Sequence, residues 1–290
     1  DIIIPSIQLV PNQSIFNPWT FLSEPFVETN ILKYFISIII LYFGITYLER
    51  HWNLNNENKI FSETVYFITI ISIITNFITV LIKFIIALST SSSSTTDLSL
   101  PVEHGIFSIS MSFIVVLKQL SPEHNIKLLK TISIRIRQLP FLILSLTFLL
   151  SLIRLSITPI VPIFTNFYIT WVYLRYYQLN NIADLLPSTT TTNSTSNSNS
   201  LVRGDASDTF AFIQFFPSQL QSYLKPLCRL TYHSSVFLGL FKPFNDDDIE
   251  SGNLRTIKRL NTINSGGSMT GEIADRRRQV ALKVLGDRVG

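Results

Sequence analysis

The stretch HGIFSISMSFIVVLKQLSPEH, residues 104–124, contains the short apolar segment on which the interpretation of the whole chain depends. Its apolar part, Gly105 to Leu120, predicts a helix about 24 Å long at about 1.5 Å per residue. That is shorter than a hydrocarbon core of about 30 Å. Gly105, Ser108 and Ser112 share one helical face, and such small residues let neighbouring helices approach closely in a membrane. We therefore expect this segment to be the central helix of a membrane bundle.

The composition indicates a membrane protein. Of 290 residues, 47% are hydrophobic and 14% are charged, with a mean hydropathy of +0.34, whereas soluble domains carry about 25% charged residues. The single cysteine, Cys228, excludes an internal disulfide framework and a cysteine-based zinc site. The net charge of +4 is distributed over short clusters, which indicates membrane topology rather than nucleic-acid binding. We expect the lipid bilayer as a partner, and no nucleic acid, metal or cofactor.

Four further apolar runs predict membrane-spanning helices around the central one. These runs are Ile31–Leu48, Thr64–Leu88, Leu139–Thr158 and Ile163–Tyr177. The predicted fold class is therefore all-α: a polytopic membrane helix bundle with five spans within residues 1–178.

Lysine and arginine are absent from every second connection of this bundle. The connections without them are 1–30, 89–104 and 158–162, and those that carry them are 49–63, 118–138 and the chain after 174. Because cytosolic connections are enriched in these residues, we expect residues 1–30 in the lumen and the C-terminal tail in the cytosol. Two sequons test this orientation, since Asn12 should carry a glycan and Asn193 should not. The chain begins without a methionine, so we expect a fragment or a processed N-terminus.

The tail divides into segments of different composition. Residues 179–203 are rich in serine, threonine and asparagine and predict a flexible linker. Within residues 204–290 we expect an aromatic segment at 205–227, a disordered stretch at 245–267 and a basic helix at 272–289. Two groups of side chains in the tail are candidates for binding a partner: Phe210, Phe212, Phe215 and Phe216 in the aromatic segment, and Arg276, Arg277 and Arg278 in the basic helix.

Several motifs resemble the rhomboid superfamily, in which a tryptophan lies in the first lumenal loop and a Gly and a Glu lie at the cytosolic end of the next helix. Here these residues are Trp19, Gly44 and Glu49. Four longer stretches resemble the transmembrane protein 115 family, a rhomboid-like group of Golgi membrane proteins without proteolytic activity. They are HG…VVLKQ at 104–119, WVYLRYYQ at 171–178, RGDASDTFAFIQFFP at 203–217 and ADRRRQVALKVL at 274–285. That family has one helix before the tryptophan loop, so we expect a six-helix bundle whose first helix is missing from this chain.

The resemblance implies where catalytic groups would lie in an active rhomboid. Such a protease has a serine at the start of the central helix, a histidine base on the last helix, and a His and an Asn on the second helix that stabilise the oxyanion. Here His104 precedes the central glycine, the last helix contains no histidine, and Lys33 and Ser37 take the oxyanion positions. We therefore expect a fold without catalysis. The residues expected to serve structure and helix packing are Gly105, Ser108, Ser112, Gly44, Trp19 and Glu49.

The resemblance further implies vesicle-mediated retrograde transport from the Golgi to the endoplasmic reticulum, contact with the conserved oligomeric Golgi tethering complex, and self-association. The residues leave two other functions open. One is a divergent intramembrane serine protease that uses Ser108, Ser110 or Ser112. The other is a small-solute transporter that uses Arg154, Lys83 and Asn76, which lie within apolar runs.

Overall fold

The computed structural model describes residues 4–52, 57–89, 98–102, 105–122, 125–129, 132–154, 160–181, 201–237, 239 and 241–264. Within these ranges the helices are α1 Thr20–Ser23, α2 Ile31–Trp52, α3 Glu57–Ser89, α4 Gly105–Leu120, α5 Leu139–Arg154, α6 Ile160–Val172, α7 Ser218–Phe237 and α8 Asp246–Asn264. A π-helical segment, Tyr173–Tyr177, continues α6. The 3-10 turns are Pro11–Gln13, Glu24–Phe26, Ile136–Gln138, Asp208–Phe210 and Phe212–Phe215.

Two short antiparallel strand pairs lie outside the apolar helices. Strand β1 Asn125–Leu129 pairs with β2 Ile132–Arg135 in the basic connection between α4 and α5. Strand β3 Leu179–Asn181 pairs with β4 Leu201–Arg203. The second pair includes both ends of the predicted linker, so residues 179–181 and 201–203 are ordered rather than flexible. The rest of that linker, 182–200, lies outside the described residues.

The predicted polytopic helical bundle is confirmed. The apolar segments Ile31–Trp52, Glu63–Ser89 and Ile136–Ile153 are each long and apolar enough to cross a membrane. Helix α4 begins at Gly105 and ends at Leu120, as the sequence predicts, and is shorter than these three. Helix α6 with its π-helical continuation supplies the last apolar segment.

Helix α4 lies at the centre of the bundle, which confirms the interpretation of residues 104–124. It contacts α2, α3, α5 and α6, and most of its residues are buried, including Gly105, Ser108 and Ser112 of the small-residue face. Gly44 on α2 allows a close approach between α2 and α4. A Cβ at Gly44 would lie 2.5 Å from the Phe113 ring, so any larger residue there forces the two helices or the ring to move.

The helices alternate in direction, which gives the bundle two distinct ends. We call the end that contacts residues 4–30 the loop end, where Leu9 packs with Val80 and Val102. The opposite end contacts residues 201–264, and we call it the tail end. There the Tyr47 hydroxyl lies 3.1 Å from Ser121 Oγ. Within the described residues, the connections that contain lysine or arginine lie at the tail end.

The expectation of disorder over 245–267 is wrong for the described part of that stretch, because α8 covers Asp246–Asn264. Three aspartates lie in its first turn, where they interact favourably with the positive end of the helix dipole. A Cβ at Gly252 would lie 2.7 Å from the Ser207 nitrogen, so the helix packs closely against the chain around residue 207. Asn253 Nδ2 donates to Asp208 Oδ2 at 2.9 Å. The low hydropathy of α8 reflects a helix held by polar contacts rather than a disordered chain.

Candidate functional site

The N-terminus of α4 is an anion-binding position that the chain fills with its own carboxylates. The first N–H groups of a helix have no partner within the helix and attract negative charge. The Gly105 N–H donates to Glu24 Oε1 at 3.0 Å, and the Ile106 N–H donates to Glu28 Oε1 at 3.2 Å. Two glutamates from the N-terminal loop therefore satisfy the donors that an oxyanion would otherwise use.

These carboxylates are held in place by their surroundings. Glu24 is only 3% exposed, and Ser37 Oγ donates to Glu28 Oε1 at 2.8 Å. Gly105 has φ +46°, and a Cβ there would overlap the Glu28 carboxylate, so this position requires glycine. The cavity left beside them is about 50 Å³ and is lined in part by Lys33. It holds at most a few water molecules.

Lys33 and Ser37 lie beside the start of the central helix, where Lys33 lines the cavity with Gly105 and Ser37 contacts Glu28. Their chemistry differs from that of oxyanion helpers, because Ser37 donates to a carboxylate of the same chain. A substrate carbonyl could reach the α4 N–H groups only after both glutamates had moved.

A buried polar cluster joins α4 to α6 in the middle of the bundle. Ser112 Oγ donates to Asn166 Oδ1 at 2.5 Å, and Thr170 Oγ1 donates to Ser112 Oγ at 2.9 Å. All three side chains are buried. An asparagine amide does not accept a proton near neutral pH, so this arrangement does not activate the Ser112 hydroxyl. Hydrogen bonds of this kind hold membrane helices together.

The other two serines of α4 differ in their surroundings. Ser108 is 2% exposed and lies on the small-residue face. Ser110 Oγ donates to the Phe107 carbonyl of its own helix at 2.7 Å. His51 and His233, the histidines within the described residues, lie on α2 near its tail-end terminus and on α7. His104 and His124 lie outside those residues.

At the tail end, three stretches that are far apart in the sequence meet. We call this the tail junction: residues 203–216 packed on the ends of α4 and α6. Gln119 Nε2 donates to Gln178 Oε1 and to Asp205 Oδ2, each at 3.1 Å. Arg175 Nη1 donates to the carbonyl oxygens of Asp205 and Ser207, each at 2.6 Å. The three stretches are those that carry the family resemblance at 104–119, 171–178 and 203–217.

The aromatic residues of the tail pack into this junction. Phe210 and Phe215 are each 2% exposed. The Phe215 ring meets Phe167 of α6 edge-on at 5.1 Å between centroids, and the Lys118 ammonium lies 3.1 Å from the Phe215 centroid. Phe212 and Phe216 are half-buried against the same core. The expectation that these four phenylalanines form a free docking surface is therefore wrong for Phe210 and Phe215, because their own bundle covers them.

The turn Arg203-Gly204-Asp205 has a structural role at this junction. Gly204 has φ +76°, and a Cβ there would overlap the Arg175 carbonyl. Its N–H donates to the Gln178 carbonyl at 2.6 Å, and Arg203 Nε donates to the Tyr176 carbonyl at 2.9 Å. The tripeptide is packed on the end of α6.

Comparison with known proteins matches this arrangement to one family. The profile described as "Eukaryotic integral membrane protein (DUF1751)" matches residues 1–290. The chain belongs to this family. It is 30% identical over 296 residues to the transmembrane protein 115 homolog of Saccharomyces cerevisiae, covering 98% of this chain and 80% of the relative. It is 26% identical over 289 residues to rhomboid-like protein 19 of Arabidopsis thaliana, covering 99% and 81%.

The match to transmembrane protein 115 of Homo sapiens is shorter, with 28% identity over 194 residues, 64% of this chain and 46% of the relative. No solved structure matches the chain. Together these matches confirm the resemblance that the motifs indicate, and the chain is a rhomboid-like, multi-pass integral membrane protein.

The remaining predicted residues lie at both ends of the bundle. Trp19 is 55% exposed, and its indole N–H donates to the Ser6 carbonyl at 2.7 Å, so it fixes the N-terminal loop rather than packing between helices. Glu49 is half-buried near the tail end of α2, and Asn12 is exposed on the turn Pro11–Gln13. Arg276, Arg277 and Arg278 lie outside the described residues, as does Asn193.

The residues considered for transport lie on α3 and at the end of α5. Asn76 is buried on α3, and its Nδ2 donates to the Phe21 carbonyl in the N-terminal loop at 2.8 Å. Lys83 is half-buried two turns further along the same helix. Helix α5 ends at Arg154, whose side chain lies outside the described part.

A larger cavity of about 440 Å³ lies beside the tail junction, between α3 and the end of α6. Its lining is mostly apolar or aromatic, with Trp52, Ile70 and Tyr173 on its walls and Glu63 as its acidic group. Sequence reasoning missed this cavity and also missed the role of Glu24 and Glu28. For the glutamates a signal was present, since two acidic residues lie one helical turn apart in a loop without lysine or arginine.

Proposed function

We propose that this chain is a non-catalytic rhomboid-like protein of the Golgi membrane that acts by protein–protein interaction in retrograde vesicle transport to the endoplasmic reticulum. Its C-terminal tail lies in the cytosol and contacts the conserved oligomeric Golgi tethering complex, and the membrane domain binds client proteins or further copies of itself. The trafficking part rests on the resemblance to the transmembrane protein 115 family.

One observation supports the non-catalytic part above others: the glutamates bound at the start of α4. Proteolysis requires N–H groups that are free to stabilise an oxyanion as it forms. Here Glu24 and Glu28 already accept from Gly105 and Ile106. The Ser112 hydroxyl, in turn, has Asn166 where a base would be needed.

Cleavage of a transmembrane reporter helix tests this part. The purified chain is reconstituted in vesicles with reporter helices, beside an active rhomboid protease as positive control. We expect no cleavage from the native chain. Cleavage that disappears when Ser108, Ser110 and Ser112 are all changed to alanine would overturn the proposal in favour of the divergent protease.

The trafficking part is tested in cells with the full chain carrying a proximity-labelling enzyme at its C-terminus. We expect labelling of Golgi tether subunits, and loss of that labelling when Arg276, Arg277 and Arg278 become glutamine. The charge-matched control changes three exposed cations elsewhere at the tail end, Arg50, Arg135 and Lys242, to glutamine. Equal loss in both variants would contradict a specific role of the arginine cluster, and a native chain that labels no Golgi proteins would contradict the location.

A further inference from the structure

Helix α7, Ser218–Phe237, exposes a continuous apolar stripe. Five large side chains lie along it: Leu220, Tyr223, Leu227, Leu230 and Phe237, with exposed fractions of 40%, 81%, 60%, 67% and 91%. Their spacing places them on one side of an α-helix. None of the residues of α7 is buried. An exposed apolar stripe of this length on a helix indicates that the stripe contacts either a membrane or another protein surface.

A second face of α7 lies against the bundle. Leu224, Cys228 and Tyr232 follow each other at intervals of four residues and are half-buried. Tyr232 packs on the core cluster that includes residues of α6. Burial also raises the pKa of the Cys228 thiol. The apolar stripe is therefore not the face by which α7 binds its own chain.

The third face is basic. Lys225, Arg229 and His233 are also spaced by four residues and are exposed. Residues 218–237 contain no aspartate or glutamate. At about 100° per residue, the bundle-facing, apolar and basic faces point in three directions roughly a third of a turn apart. Helix α7 thus packs on its own bundle with one face, exposes an apolar face, and carries a basic face that attracts anions.

The start of α7 fixes its level relative to the bundle. It follows Phe216 and Pro217 directly, and the Phe216 ring lies 6.0 Å from that of Phe141. Phe141 is in the first turn of α5, at the tail end of a segment apolar enough to cross the membrane. Helix α7 therefore begins where the hydrocarbon core ends, and the headgroup region of the leaflet surrounds it.

We propose that α7 is an interfacial helix whose apolar stripe inserts into the leaflet at the tail end of the bundle, with its basic face toward anionic headgroups. Continuity with the spanning helices supplies the argument for lipid as the occupant, since the bilayer is already beside the stripe. The combination of an apolar face, a Lys/Arg-bearing polar face and low overall hydrophobicity is that of helices that lie in the membrane interface.

Site-directed spin labelling of the full chain in vesicles tests this proposal. Cys228 is changed to serine, and a single label is placed by Leu227→Cys on the apolar stripe or by Arg229→Cys on the basic face. Both positions are exposed, so neither label displaces a core side chain. Leu149→Cys on α5, 54% exposed within the apolar span Ile136–Ile153, provides the lipid reference.

We expect the Leu227 label to be relaxed by dissolved oxygen, as at Leu149, and the Arg229 label to be relaxed by a water-soluble nickel complex. Equal access of nickel to both labels would overturn insertion. A Leu227 label that neither reagent reaches, or that couples to a label in another copy, would overturn lipid as the occupant in favour of protein. Vesicles of phosphatidylcholine with and without phosphatidylserine test the charge, because insertion that does not deepen with phosphatidylserine would overturn the role of the basic face.

Discussion

Replacing Phe215 with alanine should release the tail junction while leaving the helical bundle assembled. Phe215 is 2% exposed, and its ring packs on Phe167 and Phe210 with centroid distances of 5.1 and 5.6 Å. Truncating a buried phenylalanine costs about 3–5 kcal/mol. The change also removes the ring against which the Lys118 amino group lies, 3.1 Å from the ring centroid. We expect the free energy of local opening at the tail junction to fall by about 3–5 kcal/mol. The loss stays within this range because the tail can shift to cover part of the cavity that the missing ring leaves.

Hydrogen exchange of the full chain in lipid nanodiscs measures this loss directly. The Gly204 and Asp205 amides donate to the carbonyls of Gln178 and Leu174, so they exchange only when the junction opens. A loss of about 3–5 kcal/mol corresponds to exchange faster by a factor on the order of 10²–10⁴. The matched control is Phe16→Ala at the loop end, 80% exposed, which should leave both amides unchanged.

A second variant separates the packing of the Phe215 ring on the bundle from its contact with Lys118. Among the described residues, the Lys118 ammonium has no hydrogen-bond partner. Lys118→Met should therefore be tolerated, since it replaces a buried cation by an apolar chain of similar length. In the Lys118→Met background, Phe215→Ala should cost less than in the native chain. Unchanged exchange in Phe215→Ala would refute the junction, and equal losses in the two backgrounds would refute the cation–π contact.

Four further changes test other parts of the structure. Gly44→Ala should destabilise the bundle by about 1–3 kcal/mol through overlap with the Phe113 ring; thermal unfolding in detergent should show the loss, and Phe113→Ala should relieve it in a double-mutant cycle. Glu28→Ala should cost about 1–3 kcal/mol because it leaves the Ile106 N–H without its carboxylate, whereas Glu28→Gln, which keeps an acceptor, should cost less in the same assay. In cells, a mobility shift removed by endoglycosidase should disappear with Asn12→Gln and persist with Asn193→Gln; the reverse would invert the predicted orientation. Ile70→Trp should fill part of the cavity between α3 and α6 and reduce cross-linking to membrane clients, and unchanged cross-linking would show that the cavity does not bind them.

The central helix and the spans could be predicted because each depends on local sequence. A predominantly apolar run such as Gly105 to Leu120 has one stable arrangement in a bilayer, in which its backbone groups are bonded within a helix. The predicted ends of these helices lie close to the observed ends for the same reason. Helix α2 continues past Leu48 to Trp52 because the polar residues there face the tail end rather than breaking the helix.

The tail could not be predicted in this way, because its structure is determined by partners far along the chain. Asp205 is 86 residues from Gln119, to which it is hydrogen-bonded. Phe210 and Phe215 have the same local sequence whether they are exposed for a partner or packed on α6. In α8, Asp246–Asp248 resemble a solvated acidic run, and contacts with the distant chain around residue 207, such as the close packing of Gly252 on Ser207, distinguish the helix from a disordered chain.

At the loop end, the acidic residues could be recognised in the sequence, but their role could not be predicted. That role depends on which residues lie close together in the folded chain. A glutamate in a loop is most often solvated, and nothing in the spacing of Glu24 and Glu28 locates the start of a helix some 80 residues later. The motifs predict that this end lacks the catalytic residues of an active rhomboid. The structure shows that Glu24 and Glu28 bind the N-terminus of α4 there.

The two ends of the bundle therefore constrain function differently. At the loop end, removal of one glutamate alone would not create a protease, because α6 still presents Asn166 and Thr170 to Ser112 instead of a base. The glutamates also stabilise the fold by neutralising the positive end of the α4 dipole. At the tail end, the buried junction holds α7 and α8 in defined positions against the bundle. The proposed trafficking role needs such fixed surfaces, because a cytosolic machine can recognise an arrangement of helices only if the membrane domain holds that arrangement constant.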